Sequence, residues 1–328
     1  MPVQVSTLSA QGYRPHALHS PERSWPETNC YSDLWIEMLH GFGREPLAAL
    51  GFTAALDFEG DQWTFFKPPP SDLLRLFGLE VLEMAVWRPL EQHLVEHVAQ
   101  GRLVLVELDS FYLPDTRGTA YQAEHVKTTV GVQAIDVEGQ RLGYFHNAGY
   151  WELEGQDYLG VFRRLPHFQV QPDVLPPYVE MVKTHPALEQ RGPALVRTAA
   201  AILREHLARR PGQNPFTRFE ARFAKDLDWL LTQPMATFHL YAFNTLRQIG
   251  ANFELLGSHL QYLRANGEAL DGAAATAFVE LAAGAKALQF QLARAVNKKK
   301  LPDWKPTLAG MHGKYEQGMA ALSAWAAR

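Results

Sequence analysis

The chain has one cysteine, Cys30, at the start of a predicted helix. Thr28 or Asn29 can cap this helix, and apolar residues recur at helical spacing over residues 31–42. A thiol in the first turn of a helix meets unpaired backbone N–H groups and the positive end of the helix dipole, which favour the thiolate and can bind an oxyanion. Cys30 is therefore a candidate nucleophile, and the alternative is a small buried hydrophobic residue.

Two further residues supply the partners that a thiol nucleophile needs. His125 stands at the start of a predicted strand, residues 126–135, and Asn147 ends the partner strand, residues 142–147. An imidazole can take the thiol proton, and an acceptor on its other ring nitrogen fixes its tautomer. The order of the three residues predicts these roles, although a histidine or an asparagine at a strand end is also common as a surface or turn residue.

The elements that must position these residues alternate between short strands and helices over the first half of the chain. This alternation predicts an α+β domain over residues 1–169. The predicted elements are a hairpin of residues 52–58 and 62–67, a helix over 71–77, a strand over 79–87, a helix from Pro89 to Gly101, a strand over 103–108 and the hairpin that carries His125 and Asn147.

The second half of the chain has a different pattern of apolar residues. Three prolines within residues 170–177 cannot continue a helix or a central strand, so this segment is the predicted linker. Everything beyond it has helical periodicity, which predicts an all-α helical domain over residues 170–328. The predicted helices lie near residues 193–210, 215–232, 235–264, 272–297 and 306–327.

The composition excludes several classes of protein. With 47% hydrophobic and 20% charged residues the chain is globular, and its formal charge of −4 argues against a broad nucleic-acid-binding surface. A single cysteine allows no internal disulfide, residues 1–18 lack the apolar core of a signal peptide, and no stretch approaches the roughly 18 apolar residues of a membrane span. We therefore expect a cytoplasmic protein without nucleic-acid or membrane partners.

From the predicted helix of Cys30 to Asn147, the chain resembles the N-terminal domain of butirosin biosynthesis protein H and its relatives. The shared features are the order of Cys30, His125 and Asn147, the apolar strand 103–109, the sequence Phe-Tyr-Leu-Pro that follows it, and Tyr121. Those relatives resemble papain-like cysteine peptidases, but the butirosin protein moves an acyl group from the phosphopantetheine arm of a carrier protein to an amine. The whole chain is similar to an uncharacterised bacterial family, domain of unknown function 1839, whose members occur beside carrier proteins and amino acid ligases.

The resemblance implies a papain-like fold for the first domain, with Cys30 as nucleophile, His125 as base and Asn147 as the residue that orients the base. The backbone N–H of Cys30 and a donor near Asn29 would form the oxyanion hole. The implied partners are an acyl or aminoacyl carrier protein with a phosphopantetheine arm and a small-molecule or peptide amine. No cofactor is expected.

Other residues are candidates for binding the substrate. Asn244 and Arg247 follow a polar line of the predicted helix 235–264, and they could line a cleft for the acceptor if that helix were buried between the domains. Ordinary surface exposure is the alternative. Tyr112 and Tyr121 could line an acyl pocket, or else pack as core aromatics.

A competing motif, His93-x-x-Glu96-His97, has the spacing of inverted zinc peptidases. Two histidines four residues apart share one face of a helix, where they can bind zinc. Here an apolar stripe beginning at Leu90 makes the buried face, which would leave both histidines on a more solvated flank. Because such short patterns also arise by chance, we expect no metal.

The expected function is therefore thiol-dependent acyl or aminoacyl transfer from a carrier-protein thioester to an amine. One alternative is a cysteine hydrolase of peptides or amides, in which water resolves the acyl-enzyme. The other is a non-catalytic protein that keeps the fold and uses its cleft to hold a carrier protein or a ligand.

Overall fold

The computed structural model describes residues 2–170, 175–301 and 303–328, and the chain divides into two units. The first unit comprises Met1–Ala17, Asn29–Pro46 and Leu73–Glu189. The second comprises Leu18–Thr28, Leu47–Asp72 and Gln190–Arg328. The class is α+β, as predicted, but neither unit is continuous in sequence, and the division near residue 189 lies beyond the predicted boundary.

The first unit is built on an antiparallel sheet with the strand order β2-β7-β3-β4-β5-β6, and β1 pairs with the end of β4. Its strands are β1 (Val3–Gln4), β2 (Leu79–Glu83), β3 (Leu103–Asp109), β4 (Lys127–Asp136), β5 (Arg141–His146), β6 (Gly149–Glu154) and β7 (Val179–Thr184). The helices are α1 (Cys30–Gly41), α2 (Pro70–Phe77, which crosses the division), α3 (Leu90–Ala99) and α4 (Gln156–Val161).

Helices cover both faces of this sheet. Val130 and Val132 of β4 belong to an apolar core that includes Leu94 of α3 and Tyr158 of α4. Gly131 lies between these two valines, so its side-chain position points to the opposite face. A Cβ atom there would stand 2.7 Å from the sulfur of Met38 and 2.9 Å from Leu34, both in α1. Glycine thus lets α1 lie directly on the sheet.

The predicted hairpin that begins with residues 126–135 is confirmed, since β4 pairs with β5 from Asp136↔Arg141 to Gly131↔Phe145. The predicted hairpin of residues 52–58 and 62–67 is wrong in its strands, although its turn at residues 59–61 is present. Pro46–Ala55 forms 3₁₀ helix, and only one bridge, Phe58↔Trp63, joins the two runs. Most side chains over residues 48–58 are buried, and such a continuous apolar run has no periodicity that separates strand from helix.

Strand β7 corrects the prediction that everything after the proline-rich segment is helical. It pairs with β2 on one side and β3 on the other, and therefore belongs to the sheet of the first unit. Residues 171–174 of the predicted linker lie outside the described residues. Strand β7 has only six residues, and the strands that it pairs with are distant in the sequence. Its apolar periodicity is too short for it to be recognised from the sequence alone.

The second unit contains α5 (Gly192–Ala208), α6 (Pro215–Leu230), α7 (Met235–Asn244), α8 (Leu246–Ala265), α9 (Gly272–Lys298) and α10 (Lys305–Ala326). These agree with the predicted helices except over residues 235–264, where the helix breaks at Thr245. The Thr245 hydroxyl donates to the carbonyl of Tyr241 at 2.6 Å, a side-chain bond that competes with the helical pattern. Among the described residues, no helix is long and apolar enough to cross a membrane.

Buried polar groups of α8 bind the backbone of residues 47–72, which explains why that segment joins the helical unit. Asn252 donates to the carbonyl of Thr53 at 2.9 Å, and His259 donates through Nδ1–H to the carbonyl of Leu47 at 2.7 Å. His259 Nε2 is buried and has no hydrogen-bond partner among the described residues. Burial lowers the pKa of His259 to about 4, so the ring is neutral in the folded protein at neutral pH.

We predict that His259 makes the protein less stable in mild acid. The pKa of an exposed histidine is about 6.5. Between about pH 6.5 and 4, His259 is therefore protonated in the unfolded chain but neutral in the folded chain. Stability should fall by up to about 3 kcal/mol over this range. The measurement is the free energy of urea unfolding at a series of pH values.

His259→Asn keeps a donor near the Nδ1 position and removes the titrating ring, so its stability should fall less steeply than that of the wild type. His239→Asn, at an exposed histidine in the same unit, is the matched control and should reproduce the wild-type slope. Equal slopes for all three proteins would contradict the prediction.

Candidate active site

Cys30 is the first residue of α1 and the only cysteine, and its thiol is free. The Asn29 side chain caps the helix by accepting the N–H of Ser32 at 2.9 Å, as an N-cap residue should. Cys30 is partly exposed, and its own N–H has no acceptor among the described residues. The first turn therefore presents a thiol beside a backbone donor. The side-chain oxygen of Asn29 is the acceptor of this cap, so a donor to an oxyanion at Asn29 would have to be its side-chain NH2 or a backbone N–H.

His125 lies just before β4 and is bound to Asp109, the last residue of β3. His125 Nδ1–H donates to Asp109 Oδ2 at 2.6 Å, and Asp109 Oδ1 accepts the N–H of Phe111 at 3.1 Å. The imidazole stacks on the ring of Phe111, with centroids 4.4 Å apart and planes 11° from parallel. The His125 side chain is 63% exposed, and its Nε2 has no partner among the described residues. Two contacts thus fix the ring and leave one nitrogen accessible.

Asp109 was not predicted as a site residue, and the pairing of strands explains its role. Asp109 pairs with Lys127 in the β3–β4 register, and the N–H of Ser110 donates to the carbonyl of Val126 at 2.9 Å. The end of β3 is thereby fixed beside the start of β4. An acidic residue that ends an apolar strand is the only signal in the sequence, and it identifies no partner.

Asn147 does not orient His125. It lies in the two-residue turn between β5 and β6, where His146 pairs with Gly149, and its φ of +46° is the left-handed conformation that such turns require. Continuing the register from Gly131↔Phe145 places Asn147 level with residue 129, about 13 Å along the strand from His125. Turn geometry accounts for Asn147, and the hydrogen bond to His125 that was expected for Asn147 is made by Asp109.

The structure does not join Cys30 to His125 by a hydrogen bond. His125 Nδ1 is bound to Asp109, and the sulfur of Cys30 has no polar partner among the described residues. The start of α1 is anchored elsewhere, since the hydroxyl of Tyr31 donates to Glu180 Oε2 of β7 at 2.9 Å. A productive thiol–imidazole contact would therefore require a movement of His125, of Cys30 or of both.

His146 is the other histidine near the predicted triad, and both of its ring nitrogens are hydrogen bonded. The Thr128 hydroxyl donates to His146 Nε2 at 2.8 Å, and His146 Nδ1–H donates to Asp115 Oδ2 at 2.5 Å. Tyr144 donates to the second oxygen of Asp115 at 2.6 Å. The side chains of His146 and Asp115 are both 2% exposed. Because no ring nitrogen remains, this network is structural and His146 is no base for Cys30.

A cavity of about 440 Å³ opens beside His125. It is bounded by the end of β3, the start of β4, the C-terminal end of α4 and residues 175–177. Its size lies within the range of small-molecule sites in proteins, roughly 300–1,000 Å³. The accessible face of the candidate base therefore meets a space that can hold a ligand.

Tyr112 and Tyr121 are not exposed in this cavity. Tyr112 is buried, and its hydroxyl lies 3.3 Å from His167 Nε2. Tyr121 donates to Asp157 at 2.9 Å and carries the guanidinium of Arg117 over its ring. Tyr112 is thus a core aromatic, the alternative that the sequence left open, whereas Tyr121 is half-buried and bound to Asp157.

Arg247, a residue of the predicted polar line, has a partner in the second unit, in the segment that precedes Cys30. It donates to the carbonyl of Glu27 and to its carboxylate, each at 3.2 Å. About two turns later in α8, Glu254 accepts the N–H groups of Ser24 and Trp25 at 3.1 and 2.9 Å. Asn244, in contrast, donates to the carbonyl of Leu240 in its own helix.

The histidines of the zinc-like motif bind other groups. His93 is buried and accepts the N–H of Trp87 at 3.4 Å, and Arg102 donates to His97 at 3.2 Å. The placement of His93 on a solvated flank is therefore wrong. Burial lowers the pKa of both rings. In the described part of the chain, no group of three or more His, Cys, Asp or Glu side chains could hold a metal ion.

Comparison with known families gives two matches. One is to the DUF1839 N-terminal domain over residues 14–184, and the other is to the DUF1839 C-terminal domain over residues 192–324. The chain therefore belongs to the DUF1839 family, as predicted. The first match ends at residue 184, which is the last residue of β7. No curated protein matches the chain, and the resemblance to the butirosin protein stays a prediction.

We predict that Trp25 can pack against α8 only because residue 250 is a glycine. A Cβ at Gly250 would collide with the indole, which is also held by its Nε1–H bond to the carbonyl of Ala282 at 3.0 Å and by Lys286 over its ring at 4.0 Å. Gly250→Ala should destabilise the protein by about 1–3 kcal/mol, because the buried indole cannot move without losing these contacts. Thermal or urea unfolding measures the change.

Gly310→Ala is the matched control, since nothing lies within 4 Å of a Cβ at this helical glycine. It should stabilise the protein by about 0.5–1 kcal/mol through the higher helix propensity of alanine. A stabilising effect of both substitutions would show that Trp25 is not tightly held.

Proposed function

We propose that this member of the DUF1839 family is a thiol-dependent acyltransferase, in which Cys30 attacks a thioester and His125 carries the proton. The observation that carries the proposal is the 2.6 Å hydrogen bond from His125 Nδ1–H to Asp109. A carboxylate on one ring nitrogen presents the other nitrogen as a base and stabilises the imidazolium that forms. The accessible Nε2 beside a ligand-sized cavity is the arrangement expected of a general base.

The arrangement of α1 and the sheet supports a papain-like interpretation of the first unit. A helix that begins with the only cysteine packs on the central strand β4, and the candidate base precedes that same strand. In this interpretation Asp109 replaces Asn147 as the residue that orients His125. The N–H of Cys30 would be one donor to the oxyanion.

The reaction begins when the proton of Cys30 passes to His125 Nε2. The thiolate attacks the thioester carbonyl, a bond forms between that carbon and the sulfur of Cys30, and the bond to the carrier's thiol breaks. His125 returns its proton to the departing thiolate. An amine then attacks the acyl-enzyme, loses a proton through His125, and leaves as an amide while Cys30 is restored as a thiol.

A thioester substrate suits these residues better than an amide does. The leaving thiolate is stable near neutral pH, whereas an amine must be protonated as it leaves. A single histidine oriented by one carboxylate is therefore sufficient for a thioester. A carrier protein with a phosphopantetheine arm is a source of such a thioester, which makes it the proposed donor.

One observation favours a second candidate, a non-catalytic binding protein. Cys30 and His125 share no hydrogen bond, and a catalytic pair in papain-like enzymes must meet before the thiol can be activated. In this case the cavity would hold a ligand without covalent chemistry. Hydrolysis, the remaining alternative, would use the same acyl-enzyme with water as its acceptor.

The test is to trap an acyl group on Cys30. The protein is mixed with an acyl thioester of pantetheine, or with an acyl-loaded carrier protein, and its intact mass is measured after acid quenching. The wild type should gain the mass of one acyl group, and Cys30→Ser should gain none. His125→Ala and Asp109→Asn should slow acylation by roughly 10²–10⁴-fold, the usual contribution of a general base and its support.

His185→Ala is the matched control, because His185 forms a comparable surface pair with Glu80 at 2.9 Å in the same unit. It should acylate at the wild-type rate. Addition of an amine should then convert the acyl-enzyme to amide, whereas loss of the acyl group in water alone would indicate a hydrolase. A Cys30 that stays unmodified, and reacts with iodoacetamide only after unfolding, would refute both enzymes.

A further inference from the structure

We propose that the cavity beside His125 binds a small ligand with an apolar body and one anionic group, and that Arg163 receives the anion. The cavity has a volume of about 440 Å³. The proposal concerns recognition in this cavity and does not depend on any reaction at Cys30.

The walls of the cavity determine the apolar part of the ligand. Leu90, Leu108, Val161, Phe162 and Phe168 line it, together with the prolines of residues 176–177. Polar ligands would lose hydration against these surfaces without gaining hydrogen bonds, whereas aliphatic or aromatic groups are favoured by burial.

The charges of the cavity determine the anionic part. Lys127 donates to Glu107 at 2.6 Å, and His125 donates to Asp109 at 2.6 Å, so these four lining groups pair with each other. Arg163 is exposed and has no ion pair or hydrogen bond from its side chain among the described residues. Its guanidinium lies 4.3 Å from the ring centroid of Phe168, which orients it at the cavity. An unpaired guanidinium with a fixed plane is suited to bind a carboxylate or a phosphate through two parallel bonds.

The backbone of Arg163 allows its side chain to be removed without strain. Its φ is +55°, the left-handed conformation that follows the end of α4, where its N–H binds the carbonyl of Gly160 at 2.9 Å and the next N–H binds Leu159 at 2.7 Å. Glycine adopts this conformation without steric strain and is the usual residue at such a helix end. An arginine at this position therefore carries a backbone strain that a glycine would not.

Carboxylates and phosphates share the chemistry that Arg163 would recognise, and the probes separate them. Isothermal titration calorimetry with the wild-type protein compares 4-phenylbutyrate, 4-phenylbutyl phosphate, 4-phenylbutanol and 4-phenylbutylamine, which share one apolar body. The anions should bind roughly tenfold or more tightly than the alcohol, and the amine should bind most weakly. The tighter of the two anions identifies the group. None of the probes is a thioester, so the measurement is independent of the activity of Cys30.

Arg163→Gly tests the residue without endangering the fold, because glycine relieves the strained backbone. Its unfolding midpoint should not fall, its affinity for the preferred anion should drop about tenfold, and its affinity for the alcohol should be unchanged. Arg163→Lys should keep part of the anion preference. Gln140→Gly is the matched control, since Gln140 also has a positive φ, +51°, in the same unit but does not line the cavity.

The control should preserve the wild-type preference. Equal affinities for the anions and the alcohol, an undiminished preference for the anion in Arg163→Gly, or no binding of any probe would each overturn the proposal.

Discussion

The antiparallel pairing of β3 with β4 is the constraint on which the candidate site depends. Asp109 ends β3 and His125 precedes β4, and the register Asp109↔Lys127 brings the two side chains to hydrogen-bond distance. A slip of one residue would turn Asp109 to the other face of the sheet and separate the pair. The same end of the sheet, with α4 and residues 175–177, forms the cavity. One register therefore determines the position of His125, the orientation of its ring and the space beside it.

The position of the thiol depends on a different contact, the packing of α1 on Gly131. Because glycine has no side chain, Leu34 and Met38 reach the backbone of β4, and the helix lies close to the sheet. Its first residue is then Cys30, whose N–H lies in the first turn and has no partner within the helix. Cys30 and His125 are thus positioned by separate contacts, and they share no hydrogen bond in the structure.

The second unit includes the segment that leads into Cys30. Glu254 and Arg247 of α8 bind the backbone of residues 24–27, and Trp25 is fixed against Gly250. These groups lie on the polar line that the sequence suggested for a cleft, yet their partners are backbone and side-chain atoms of residues 23–27 of the protein itself. A buried carboxylate such as Glu254 requires partners of this kind, because its desolvation would otherwise be unfavourable.

The sequence by itself determined what local interactions decide. The cap of Asn29 and the helix of Cys30, the β4–β5 hairpin and most helices of the second unit follow from capping residues, turn residues and periodicity within a few positions. Only the tertiary structure decided which distant residues meet. It placed β7 in the sheet, assigned His125 to Asp109 instead of Asn147, and filled both nitrogens of His146, because strand register and side-chain packing join residues whose separation leaves no periodic signal in the sequence.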